Sequence, residues 1–133
     1  MNRKYKTVNA VIDFWIGLIK PEMQKELDLI ESERMRKRKQ VEFSENLKTF
    51  RINLAEHVLL CMPVRRYDLL QLNCVGTPMG YLRAIMKQAN IKPEYLDGKI
   101  IDMEITSSDV VVYNRKENKT IKLYDSKKQE RVK

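Results

Sequence analysis

A chain of 133 residues with 43% apolar residues has the size of one domain and can bury a core without disulfide bonds. Its two cysteines, Cys61 and Cys74, are too few for the disulfide framework of a small secreted scaffold, which predicts free thiols and an intracellular location, cytoplasmic or nuclear. The net charge of +8 favours polyanionic partners, either a nucleic acid or an acidic protein surface.

The positive charge is spread along the chain. Successive segments carry +3 (1–20), +1 (21–40), −1 (41–64), +2 (65–98) and +3 (99–133). The apolar stretch 8–19 is interrupted by Asn9 and Asp13 and is shorter than the roughly 20 residues that span a bilayer. No small-residue cleavage site follows it, so neither a membrane span nor a secretory signal is predicted.

The first forty residues predict two helices separated by a proline. Apolar residues from Val8 to Ile19 recur every three or four positions, which is the spacing of one helical face. Proline is tolerated in the first turn of a helix but not in its interior, so a second helix is expected to begin at Pro21. This helix has little to bury after Ile30, and its basic last turns, residues 34–39, are expected to project into solvent at a helix C-terminus.

The segment 44–62 has two interpretations. Ser44 suits the N-cap of a third helix that ends at Cys61, before Pro63. The alternation of Phe50, Ile52 and Leu54 also fits a short strand over 49–54 followed by a helix, and periodicity alone does not choose between the two.

Two helices joined by a tight turn are predicted next. Asp68 is expected to cap a short helix over 69–75, which ends at Gly76 in the left-handed conformation. Thr77 and Pro78 then form a typical helix start, so a further helix is predicted over 78–90.

After Gly98 the sequence changes to β character. The runs 100–105, 110–113 and 120–124 are rich in β-branched and aromatic residues and are separated by polar turns. The sequence therefore predicts an α+β fold, with an N-terminal helical layer of four or five helices and a C-terminal three-stranded antiparallel β-meander. One domain is expected over 1–126, followed by a frayed basic tail over 127–133.

The order helix, glycine turn, helix and β-hairpin resembles a winged helix-turn-helix, which is an architecture rather than a family. There the second helix enters the major groove and a basic hairpin contacts the DNA backbone. This resemblance implies a nucleic-acid-binding accessory or regulatory protein, with DNA favoured over RNA. The predicted binding residues are Arg83, Lys87, Gln88 and Asn90 on the helix, Arg115, Lys116 and Lys119 at the hairpin tip, and Arg34, Arg36, Lys37, Arg38 and Lys39 in the basic run.

No catalytic, metal or cofactor site is predicted. His57, Cys61 and Cys74 lack a fourth zinc ligand and a residue that would orient a cysteine nucleophile, so buried structural thiols are favoured. Asp102 and Glu104 share a strand face, as metal-binding carboxylates of nucleases do, but the lysine expected two positions later is missing. The chain is therefore not expected to be an enzyme.

The alternative function is a non-catalytic protein-binding module or inhibitor that docks on an acidic surface of a larger assembly. Phe14 and Trp15 beside basic residues would also suit an anionic membrane, but a domain of this size needs that helix in its core. Binding to free nucleic acid that weakens steeply with salt would separate the two classes.

Overall fold

The computed structural model describes residues 3–65 and 67–125. In chain order its elements are α1 (Arg3–Asp28), α2 (Glu33–Leu60), β1 (Leu70–Val75), α3 (Gly80–Gln88), a short 3-10 helix (Pro93–Leu96), β2 (Ile100–Ile105), β3 (Asp109–Asn114) and β4 (Lys119–Asp125). The predicted mixture of helices and an antiparallel sheet is confirmed. The predicted element counts are wrong, because this part of the chain forms three α-helices and four strands. The predicted frayed tail, 127–133, lies outside it.

Helix α1 passes through Pro21 without a break, so the predicted boundary at this proline is wrong. Proline lacks the N–H that would bond to the carbonyl of Gly17, and its ring crowds that carbonyl. Gly17 and Pro21 are both exposed, and a Cβ at Gly17 would meet nothing within 4 Å. The lost hydrogen bond therefore falls on the solvent side, where water can replace it.

The basic run lies in the first turns of α2, and its predicted place at a helix C-terminus is wrong. The hydroxyl of Ser32 accepts a hydrogen bond from the N–H of Met35 (3.3 Å) and caps this helix. Helix α1 has already ended at Asp28, and four residues separate it from the start of α2.

The rest of α2 decides between the two interpretations of 44–62. Ser44 lies inside the helix, so it is not an N-cap. Phe50, Leu54 and Val58 are buried on one helical face while Ile52 is exposed, which excludes the strand alternative. Asp13 of α1 lies 3.5 Å from Arg51, because the two helices pack antiparallel across a short turn.

The helix predicted over 69–75 is wrong, since residues 70–75 form strand β1. Leu72 and Cys74 are buried and alternate with more exposed residues, and Leu72 pairs with Met103 of β2. Burial therefore alternates with a period of two, which is typical of a β-strand. As a strand, this segment pairs with β2, a partner that a helix would not have.

Gly76 has φ +75°, as predicted, but it ends a strand rather than a helix. Its N–H donates to the carbonyl of Lys99 (2.8 Å), and its carbonyl accepts from Gly98 (2.9 Å). Residues 77–79 then fold back along the edge of β1, where the N–H of Met79 donates to the carbonyl of Asn73 (3.0 Å). This pairing delays the start of α3 from the predicted Pro78 to Gly80.

The four strands form one antiparallel sheet in the order β1-β2-β3-β4. The predicted meander β2-β3-β4 is confirmed, with a bulge between Val110 and Val111. Every fully buried strand residue lies on the face that meets the helices, and Trp15 is completely buried there, so the expected core role of α1 is confirmed. No helix in the described ranges is long and apolar enough to cross a membrane.

Candidate interaction surfaces

The predicted recognition residues on and after α3 do not form one open face. Arg83 is half-buried, and its Nη1 donates to the hydroxyl of Thr77 (3.0 Å). Lys87 and Gln88 are exposed in the last turn, and the carbonyl of Asn90 accepts from the side chain of Asn46 (3.4 Å). Because β1 replaces the helix that should precede the glycine turn, the winged helix-turn-helix arrangement is wrong.

The cations at the tip of the β3–β4 hairpin are mostly engaged by acidic side chains. Nε of Arg115 donates to Asp102 (2.9 Å), and its guanidinium lies over the ring of Tyr113. Lys119 lies 3.8 Å from Glu117. Lys116 is different, because its ammonium lies over Gly98. Two of the three predicted contacts are therefore neutralised locally.

The basic run at the start of α2 is similarly balanced. Arg36 is half-buried and donates to the carbonyl of Ile30 (2.7 Å), so it fixes the turn between the helices. Lys37 pairs with Glu33 (3.7 Å), and Lys39 pairs with Glu42 (3.4 Å). Only Arg34 and Arg38 of this run are exposed without an ion pair to a described residue.

The net charge lies mainly at the two ends of the sequence. Residues 21–125 carry only +2, whereas 1–20 and 126–133 carry +3 each. Phe14 and Leu18 line one groove with Ile121 of β4, and the end of α1 meets the 3-10 helix. Helix α1 therefore packs against β4 as well as against the 3-10 helix.

A partly buried ionic cluster joins the end of α1 to the 3-10 helix. Burial raises the pKa of Glu26, but hydrogen bonds from Lys92 (2.7 Å) and Tyr95 outweigh it, and the net shift is downward. Burial, followed by the bond to Glu26, raises the pKa of Tyr95. This cluster is a structural clamp, because its polar groups bind one another.

The structure separates Cys74 from the other two candidate soft ligands, Cys61 and His57. Cys74 is buried and donates to the carbonyl of Leu96 (3.4 Å), as expected for a structural thiol. Cys61 is exposed at the end of α2, so its predicted burial is wrong, and its Sγ lies 3.8 Å from Nδ1 of His57. Burial lowers the pKa of His57 and keeps the imidazole neutral, which does not favour a thiolate beside it. In the described ranges no three His, Cys, Asp or Glu side chains form a metal-ion cluster.

A group of exposed apolar residues was not predicted from the sequence. It lies at the end of α2, in the loop that follows, and at the start of α3. We define the docking surface as Leu60, Val64, Tyr67, Met79 and Tyr81, which are 87%, 85%, 89%, 48% and 69% exposed. The sequence did offer a signal, since the loop before β1 is rich in large apolar residues without helical or strand periodicity.

Two contacts hold this surface together. The rings of His57 and Tyr81 lie 4.6 Å apart, which joins the last turns of α2 to the first turn of α3. In the loop, the N–H of Asp68 donates to the carbonyl of Arg65 (3.1 Å), and the Asp68 carboxylate accepts from the N–H of Arg65 (3.4 Å). The surface is therefore supported by two helices and a closed turn.

The chain thus combines an α+β fold, in which helices cover one face of an antiparallel sheet, with an exposed apolar surface and locally balanced charges. No family model matches the chain, and no curated protein or solved structure is significantly similar to it. The function is therefore inferred from the surfaces of this protein.

Proposed function

We propose that this protein is a non-catalytic protein-binding module that binds a larger partner through the docking surface. The observation behind this proposal is the exposure of Leu60, Val64 and Tyr67, each above four fifths, beside the exposed ring of Tyr81. Contiguous apolar patches on a folded domain are typical of protein interaction sites, because burying them against a partner removes them from water. Tyrosine in particular is enriched among the residues that dominate binding energy.

The charges near this surface favour a partner with an acidic rim. Arg65 is exposed in the loop, and Arg83 lies on α3 close to Tyr81 in sequence. The carboxylate of Asp68 is occupied by the backbone of its own turn. Opposite charges at the rim of an apolar contact accelerate association and disfavour wrong partners.

The experiment is affinity capture from cells that express the protein, followed by quantitative identification of the bound proteins. A Leu60→Ser/Tyr81→Ser variant should lose the specific partner, because both changes remove exposed apolar area. The matched control is Ile52→Ser, which alters an exposed apolar residue on the outer face of α2. Melting curves of all three proteins establish that they fold. Equal capture by the wild type and the double variant would refute the proposal.

Nucleic-acid binding is the second candidate, and one observation favours it. Residues 1–20 and 126–133 each carry a net charge of +3, whereas residues 21–125 together carry only +2. A duplex or single strand contacted there would be bound through its phosphates without base readout.

A further inference from the structure

A groove of about 640 Å³ lies between α1 and the tip of the β3–β4 hairpin. Its floor is apolar, with Phe14 and Leu18 of α1 on one side and Val112 and Ile121 of the hairpin on the other. Ile121 stays 45% exposed, although it lies on the sheet face that meets the helices. The volume is in the range of small-molecule sites, and the exposed apolar floor would gain from being covered.

One cation stands at the mouth of this groove. The Lys116 ammonium lies 4.0 Å from the point where a Cβ on Gly98 would be, and Gly98 itself lines the groove. Lys116 forms no ion pair with a described residue, unlike its neighbours on the hairpin. A flexible ammonium above an apolar floor is suited to bind an anionic head group.

The other charges at the rim largely cancel. Glu117 lies 3.8 Å from Lys119, which offsets its charge. Asp97 and Lys99 also line the groove, and their formal charges are opposite. With Glu117 offset by Lys119, the lining keeps one net positive charge, and we place the anion at Lys116 because its ammonium lies beside Gly98 of the groove.

We propose that the groove binds a small amphipathic anion, an acyl or aromatic carboxylate whose apolar part covers Phe14, Leu18 and Ile121 and whose carboxylate binds Lys116. A cationic amphiphile would have the same apolar contacts but would be repelled at the mouth. The chain's own residues 126–133 are polar and basic, so they match neither the floor nor Lys116.

The test is calorimetric titration of the full chain with decanoate and with decyltrimethylammonium, both below their critical micelle concentrations. Decanoate should bind at one site, with a dissociation constant on the order of 100 μM for a ligand of this size. Decyltrimethylammonium should bind at least about tenfold more weakly, because its tail is the same length and only its charge differs.

Two variants assign the contacts. Lys116→Gln should weaken decanoate binding by about tenfold, since it removes a charge-assisted hydrogen bond. Ile121→Ser should also weaken decanoate binding, because it removes apolar area from the floor of the groove. Melting curves check that this variant folds. Lys48→Gln, a cation on α2, is the matched control and should leave binding unchanged. The Leu60→Ser/Tyr81→Ser variant should also bind decanoate normally, so the groove and the docking surface are tested separately.

Three results would overturn the proposal. They are an absence of saturable decanoate binding, equal binding of the anion and the cation, and unchanged binding by Lys116→Gln. Amide chemical shifts provide an independent readout, because binding in the groove must perturb Leu18 and Ile121. Perturbation confined to the docking surface would show that decanoate recognises exposed apolar area elsewhere.

Discussion

Single residues show how this protein balances its charges. Glu26 is a partly buried carboxylate that is held by a short bond to Lys92 and a second bond to Tyr95. Burial alone would raise its pKa, yet the two donors stabilise the charged form more strongly. The folded-state pKa of this carboxyl therefore lies below its unfolded value.

This shift predicts a pH-dependent contribution to stability. The contribution of Glu26 is present above its unfolded pKa, about 4.3, and is lost as the pH falls through its lower folded pKa. Glu26→Gln should lower the free energy of unfolding by about 1 kcal/mol at pH 7, since Lys92 is partly exposed and solvent weakens the pair. Urea unfolding at a series of pH values should show the difference from wild type shrinking between about pH 5 and pH 3.

The exposed pair of Glu45 and Lys48 provides the control for this prediction. Glu45→Gln should change stability by less than about 0.5 kcal/mol at every pH, because both side chains remain in water. A Glu26→Gln protein as stable as wild type at pH 7 would mean that the cluster does not clamp α1 to the 3-10 helix.

Whole elements show where sequence patterns succeed and where they fail. The meander β2-β3-β4 was predicted because alternating apolar residues and polar turns are local signals. The segment 69–75 was not, since its apolar residues fit a short helix as well as a strand, and the choice depends on pairing with β2, about 30 residues further along the chain. Likewise, the sequence predicts a helix boundary at Pro21. The energetic cost of a proline inside a helix depends on whether the lost hydrogen bond faces water, and that depends on tertiary packing.

The candidate site was predicted less well than the fold. The nucleic-acid-binding residues were predicted from their charge and their place on helices. In the structure Lys37, Lys39 and Arg115 form ion pairs, and these depend on helix and strand boundaries that the sequence did not define. The docking surface was missed because exposure of an apolar loop residue is a tertiary property. Leu60 and Tyr67 do not differ in type from residues that are buried.

Helix α1 provides a test of the argument about Pro21. Pro21→Ala should raise the free energy of unfolding by about 1 to 2 kcal/mol, because alanine restores the N–H that the Gly17 carbonyl lacks, while the unfolded chain becomes more flexible. Chemical denaturation measures the change. Lys20→Ala, at an exposed neighbouring position, should stay within about 0.5 kcal/mol of wild type. A destabilised Pro21→Ala protein would contradict the view that this proline is only tolerated.

At the scale of the whole molecule, a chain of net charge +8 contains a nearly neutral body. Residues 21–125 carry +2, and their exposed lysines and arginines mostly have acidic neighbours. The composition therefore overstates the positive potential over most of the surface.

This distribution predicts which cations control binding to nucleic acid. Each phosphate contact contributes about −0.9 to the slope of log affinity against log salt for duplex DNA. Lys127→Gln/Lys128→Gln should therefore make that slope shallower by roughly 1 to 2, whereas Lys37→Gln/Lys39→Gln should leave it nearly unchanged. Fluorescence anisotropy with a labelled duplex across a salt series measures both. A larger change of slope in the Lys37→Gln/Lys39→Gln variant would instead place the nucleic-acid contacts at the start of α2.

The two edges of the sheet differ in a way that affects how the protein behaves at high concentration. Residues 77–79 cover part of the outer edge of β1, while among the described strands β4 pairs on one side only, with β3. A bulge in β4, where Leu123 is the extra residue, and Lys122, which lies 3.9 Å from Asp109 and 3.6 Å from Asp125, are the features that discourage edge-to-edge stacking there.

Removing this lysine should turn the open edge into a template for fibrils. Lys122→Val should aggregate with a thioflavin-positive signal at concentrations where wild type and Lys48→Val stay clear, as followed by light scattering. A Lys122→Val protein that remains dispersed would assign the protection to the bulge alone. The same open backbone edge that makes this fold hazardous when crowded is thus guarded by a bulge and one ion-paired side chain.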